Sequence, residues 1–191
     1  MTVSNQNKLI VKTALQSFGG TPKVNNYWDD NKDQSIDILS TLDRPYKGVS
    51  SYSTIGLSDW HIGYSVKEKQ LRTEILGASA TEFDSYPTIL ATCAFFVINS
   101  KFSLSHGHVF EKIIKFYYPE SEMKHILFTS PFLWDNLHNL DFSDKVVTWL
   151  MAVPISENEY LLKQEKGLEA LESLFEQEDI DIFNIYRNSV L

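Results

Sequence analysis

The sequence predicts an α+β fold: a single domain over residues 1–191, with a mixed or antiparallel sheet flanked by helices. Three observations carry that expectation. Two stretches, near residues 5–18 and 82–99, repeat apolar residues at the helical period. Between and after them run short alternating or wholly apolar segments rich in β-branched residues. The 191 residues hold no internal repeat and no low-complexity linker, and 43% of them are hydrophobic, enough for one sizeable core.

Ile10, Val11, Ala14, Leu15 and Phe18 form the first helical stripe. With Ser4 as N-cap and Gly19, Gly20 and Pro22 as a stop, the helix should span Asn5–Phe18. Residues 24–28 read as a strand, the Asp-Asn-Lys-rich residues 29–33 as a turn, and Ile36, Ile38 and residues 39–42 as the returning strand of a hairpin. Further strands are expected over 46–57 and 71–77, the second with one face toward the core. A second helix is expected over 82–99. Its apolar face carries Phe83, Tyr86, Ile89, Leu90, Cys93, Phe96 and Val97, and Pro87 sits in its first turn. Cys93 there reads as a small core hydrophobe.

Residues 125–129 and 145–153 read as later strands. The latter is nearly all apolar, which implies burial on both faces, with Trp149 in the core and Pro154 as the end of the strand. Ser156 and Glu159 have the spacing of a capping box, and Ile155 and Tyr160 that of a hydrophobic staple. Helices over 157–163 and 166–177 follow, the second carrying Leu168, Leu171, Leu174 and Phe175.

The formal net charge is −8 and the sequence pI about 5.1. Such a chain lacks the basic footprint of a nonspecific nucleic-acid or anionic-membrane binder, so neither partner is expected. No apolar run approaches the about 20 residues of a membrane span, and no signal peptide is expected from the polar N-terminus. One cysteine, Cys93, excludes a disulfide framework and fits a reducing compartment, so the expected location is the cytoplasm. The charge is uneven. Residues 157–191 hold nine acidic and three basic groups, a net of −6, against −2 for the rest. That surplus reads as the solvated face of a helix or as an acidic surface for a basic partner.

Patterns that could carry chemistry are incomplete. Asp29, Asn31 and Asp33 match the first ligands of a calcium loop, but Gln34 stands where the turn needs Gly and Ser40 where Glu is needed. His106 and His108 flank Gly107 without a further metal-ligand spacing, and read as structural hydrogen-bonding residues. Ser58 and His61 are compatible in type with a hydrolase, but Trp60 replaces the closing Gly of a nucleophile elbow. No phosphate-binding Gly loop is present. No catalytic residue, metal or cofactor is therefore expected, and weight moves to a binding module.

Tyr52-Ser-Thr-Ile-Gly56-Leu-Ser58, Glu74-Ile-Leu, Ser105-His-Gly107-His108-Val109 and Val153-Pro154-Ile155-Ser156-x-x-Glu159, with Gly167 beyond, resemble the Suppressor of fused domain family. The resemblance covers roughly residues 27–175. It implies a non-enzymatic binding domain; the animal relatives sequester a transcription factor. Single-domain bacterial relatives of this size look like immunity proteins or antitoxins, and this sequence is similar to the antitoxin of an LXG-type nuclease toxin. The implied partner is a cognate toxin with a basic cleft, neutralised by stoichiometric occlusion. The alternative is a regulatory scaffold that sequesters a host protein or peptide, for instance by strand addition. Gly56, Ser58, Gly107, Pro154 and Glu159 read as turns and caps. The expected contacts are two acidic clusters, Asp29, Asp30 and Asp33 and then Glu176, Glu178, Asp179 and Asp181, with Trp28 and Trp60 as aromatic anchors beside loops.

Overall fold

In the computed structural model, which describes residues 4–101 and 103–191, the chain opens on α1 (Asn5–Phe18). Ser4 Oγ accepts from the Asn7 N–H at 3.0 Å, and the Gly19 N–H donates to Leu15 O, as the cap and the glycine pair dictate. A hairpin of β1 (Pro22–Trp28) and β2 (Ser35–Leu42) follows, with Tyr27 opposite Ile36 and Trp28 opposite Ser35. Strand β3 (Val49–Ile55) is shorter than expected because the chain before it turns, the Val49 N–H donating to Tyr46 O. After the two-residue β4 (Ser65–Val66) comes β5 (Lys69–Ala80), which overruns the expected strand at both ends. Seven consecutive residues, 73–79, are buried in it, so both faces are covered where one was expected.

Helix α2 (Tyr86–Ser100) starts four residues later than expected, after a turn in which the Tyr86 N–H donates to Phe83 O. Then come β6 (Val109–Phe110), β7 (Met123–Thr129), β8 (Leu140–Asp141) and β9 (Lys145–Ser156). Helices α3 (Glu157–Lys166) and α4 (Leu168–Gln177) break at Gly167, whose φ of 90° suits a residue without Cβ. The nine strands share one sheet in the order β1-β2-β3-β5-β9-β7-β6, with β4 on β5 and β8 on β9. Only the β5–β9 pair is parallel among the described strands, so the sheet is mixed and mostly antiparallel.

Alternate residues of β9 supply two cores. Leu150 and Ala152 join Tyr86, Ile89, Cys93 and Val97 of α2 on one face. Met151 and Val153 join Ile10, Ala14 and Phe18 of α1, Trp134 and Leu171 on the other. Trp149 is 3% exposed in that second core, and Ile155 and Tyr160 of the staple pack into it too. On the α2 side the helix comes close enough that a Cβ on Gly77 would stand 2.7 Å from the Tyr86 ring. The Tyr86 hydroxyl crosses above it to donate to Ala152 O at 3.0 Å.

Pro154, expected to end its strand, lies inside it. The ladder to β5 stops at Met151, and the Pro154 carbonyl accepts from Arg187 on that vacated side. A residue's nitrogen and carbonyl point to the same side of a strand, so the missing N–H falls where no ladder needs it. The sequence predicts no helix or strand for residues 178–191, yet they are tied back to the body of the fold. The Ala80 N–H donates to Phe183 O, and Ser121 Oγ donates to Ile185 O. Arg187 then forms a bidentate pair with the fully buried Glu159, at 2.6 and 2.7 Å.

Candidate protein-binding surface

The hairpin turn is built by Asp29. Its Oδ1 accepts from the N–H groups of Asp33 (2.9 Å) and Gln34 (3.1 Å), and its Oδ2 from the Asn99 side chain of α2 (3.1 Å). These donors, the Gln34 N–H first, hold the carboxyl below its ordinary pKa. The oxygens face the turn's own backbone and a helix, which is a use quite different from the calcium loop the spacing hinted at. Asp29 is 8% exposed and has no cationic partner among the described residues.

Because Asn99 ties the turn to the last turn of α2, a groove of about 580 Å³ opens between them. Thr88, Ala91 and Thr92 of α2 line it, as do Asp29 and Asp30. Three large rings border it and remain open to water: Trp28 at 58%, Phe96 at 39% and Phe116 at 75% exposure. Phe116 comes from the short 3₁₀ turn Ile114–Phe116, and Tyr117 beside it is fixed by a 2.5 Å hydrogen bond to Thr92. Asp33 is exposed at the outer side of the same turn.

A second groove, of about 530 Å³, lies beside α4. Tyr46, Phe132, Phe175 and Phe183 form its apolar walls, with Glu172, Glu176 and Asp179 at its margin. Glu172 is engaged already, accepting from Thr129 at 2.8 Å and standing 3.6 Å from His106 Nε2. Glu178 and Asp181 are exposed just after the helix, and the Asp181 carboxylate accepts from the Phe183 N–H. Trp60 stands apart, 37% exposed and lining neither groove.

The structure thus brings Trp28, Asp29 and Asp30 together on one groove and Glu176 and Asp179 on another. Phe96 and Phe116 went unrecognised. Phe96 was assigned to the core stripe of α2, but that helix is apolar on more than one side, and Phe96 points to the open one. An apolar residue beyond the stripe of an otherwise complete helix face is the signal that could have found it.

The motif residues serve as supports. Glu74 is fully buried and accepts from Thr54 Oγ1 (2.6 Å) and from the N–H groups of Gly56 (3.0 Å), Leu57 (3.2 Å) and Ser58 (3.1 Å). Burial pushes its pKa up to about 7 against those donors. Ser58 is itself fully buried, which leaves no access for a substrate, while His61 is exposed. Glu159 accepts from the Ser156 N–H at 2.8 Å and Ser156 Oγ from the Glu159 N–H at 3.2 Å, the capping box expected, with Arg187 added. His106 stands 3.3 Å from Thr129 Oγ1, a structural contact, and burial pushes His108 below its ordinary pKa.

Open aromatic rings rimmed by acid, on a sheet whose buried polar residues serve turns and caps, are the anatomy of a protein-binding domain. Residues 32–188 match the family Suppressor of fused protein (SUFU), and the chain belongs to that family. It is 50% identical, over a 192-position alignment that covers 100% of both chains, to a protein named Immunity protein YqcF from Bacillus subtilis (strain 168). A putative SUFU homolog from Neisseria gonorrhoeae FA 1090 shares the fold at a TM-score of 0.72 and 18% identity, over 98% of this chain and 96% of that one. A chain of the Sufu–Fu complex gives 0.69 at 14% identity, over 96% and 91%. Drosophila Suppressor of Fused gives 0.59 at 15%, over 82% of this chain and 43% of that one. As these relatives indicate, the chain is a binding protein and not an enzyme. No helix among the described residues is long and apolar enough to cross a membrane.

Proposed function

We propose that this protein is an immunity protein, an antitoxin that binds a cognate toxin and blocks it by stoichiometric occlusion. The observation that carries the reading is the 50% identity, over full length, to Immunity protein YqcF. In its finer form the toxin is an LXG-type nuclease met in the cytoplasm. A nuclease needs a basic cleft for phosphates, and a chain of net charge −8 complements such a cleft and is steered toward it. The contacts are Trp28, Asp29, Asp30 and Asp33 at the hairpin, Glu176, Glu178, Asp179 and Asp181 near the C-terminus, and Trp60. Co-expression tests the reading. Cells expressing an LXG-type nuclease toxin encoded beside the gene for this protein should survive only when this protein is made. Equal killing with and without it, or no such toxin beside the gene, overturns the proposal.

One observation favours a second reading, a scaffold that captures an extended host peptide. Among the described strands β1 pairs with β2 alone, and leaves a seven-residue edge for strand addition. Recovery of a single housekeeping protein on immobilised protein, with no protection from the toxin, would favour it.

A further inference from the structure

The hairpin groove has a composition that selects its occupant. Three exposed aromatic rings, Trp28, Phe96 and Phe116, border it, and two carboxylates, Asp29 and Asp30, sit at its lip. None of its described lining residues is basic, although Lys32, Lys101 and Lys115 are each the sequence neighbour of a residue that lines it. Carboxylates as buried as Asp29 are normally paired with a cation. Here neutral donors hold the charge in place: two backbone N–H groups and the Asn99 amide. The result is a fixed negative charge on a groove bordered by aromatic rings, with no ion pair to it among the described residues.

We infer that the hairpin groove is a receptor for a cationic side chain, an arginine by preference, presented by the toxin. Guanidinium combines what the walls offer. It lies flat against an aromatic ring, is attracted to the ring face, and reaches a carboxylate with a planar fork of N–H donors. Asp30 is the open carboxylate for that fork, since the oxygens of Asp29 are already engaged by the turn. Trp28 is the ring expected to carry most of the contact, because it is wide, exposed, and anchored at the end of a paired strand. The inference rests on the immunity reading for the identity of the partner, but its chemistry can be tested without it.

The first experiment uses N-acetyl-arginine amide as probe and follows the tryptophan indole and Asn99 amide signals by ¹H–¹⁵N NMR. Saturable shifts of the Trp28 indole and the Asn99 amide are expected. The neutral analogue N-acetyl-citrulline amide should leave them unmoved, and the Trp28→Ala and Asp30→Asn variants should each weaken the response. Shifts as large with citrulline, or none in the groove with arginine, overturn the inference whatever the fate of the immunity reading. The second experiment compares variants in the co-expression assay and in binding to the purified toxin domain. With the fold checked by circular dichroism, Trp28→Ala should raise the dissociation constant about tenfold or more, as hot-spot aromatics do. If the unaltered protein protects and Trp28→Ala and Phe116→Ala bind as tightly as it does, the groove inference falls while the immunity role stands. A failure of the unaltered protein to protect removes the toxin as partner, and the arginine titration then decides the groove alone.

Discussion

The two grooves differ in how their acid is held. Beside α4 the carboxylates are numerous, but Glu172 already serves Thr129 and His106, and Glu178 and Asp181 are exposed, Asp181 accepting from the Phe183 N–H. At the hairpin there are fewer, yet Asp29 is locked by three donors and set among open aromatic rings. A count of charge along the chain points to the first region, where most of the −8 resides. Geometry points to the second as the anchor. Mobile surface charge sets the rate of encounter, whereas rings beside a fixed carboxylate set the lifetime of a complex.

The most disruptive way to separate the two regions is Arg187→Met. It leaves Glu159 buried without its cation, and removing one partner of such a pair destabilises by about 3–5 kcal/mol. The same change loosens the tail that holds Ile182 and Phe183 in the α4 groove. Urea denaturation should show the loss, while the protein still folded should bind toxin as before. Weakened binding in proportion to the folded fraction supports the hairpin as anchor, and a selective loss of affinity moves the anchor to α4. Next in size is Trp28→Ala, expected to reduce binding by about 2 kcal/mol, with stability changed by less than about 0.5 kcal/mol because the ring is exposed. Calorimetric titration and thermal unfolding of one sample check both halves.

Glu74→Gln isolates the scaffold that neither groove shares. At pH 5 the native carboxyl is protonated, but its O–H oxygen can still accept a hydrogen bond, which an amide nitrogen cannot. Two of the four inward-pointing donors then face that nitrogen, and the variant should be destabilised by about 1–3 kcal/mol. The sign of the pH dependence follows from a carboxyl at about 7 when folded against 4.5 ordinarily. Between those values the folded state retains a proton that the unfolded state has lost, so this contribution to stability is full below 4.5 and gone by about 7. Denaturation curves should therefore show the gap between the native protein and the variant shrinking as pH rises across that window. The smallest effect is expected from Glu176→Gln, Glu178→Gln, Asp179→Asn and Asp181→Asn combined. Association with toxin should slow about tenfold or less at low salt, with dissociation unchanged. Stopped-flow traces showing faster dissociation would give the α4 groove a larger part than the comparison allows.

Much of the fold was legible because local rules agreed with the outcome. Ser4 and Gly19 bracket α1, Ser156 and Glu159 open α3, and the apolar run through Trp149 is buried on both faces. What stayed hidden depends on distant partners. Pro154 continues its strand because the β5 ladder ends at Met151 and Arg187 takes its carbonyl. Nothing near position 187 announces that its guanidinium will meet Glu159. The site was legible in part for the same reason. Trp28, Asp29 and Asp30 are neighbours in sequence, so a turn rich in Asp beside a Trp is visible as a string. Phe96 and Phe116 reach that turn only through the packing of α2 and a 3₁₀ turn; the helical period of Phe96 reads as core, and no local pattern singles out Phe116.

Hydrogen–deuterium exchange of the protein with and without bound toxin tests the central claim most directly, because it reports both grooves in one experiment. The account predicts protection over residues 27–34 and 88–100 with little change over 172–183. Protection confined to 172–183, with the hairpin exchanging as freely as in the unbound protein, would contradict it.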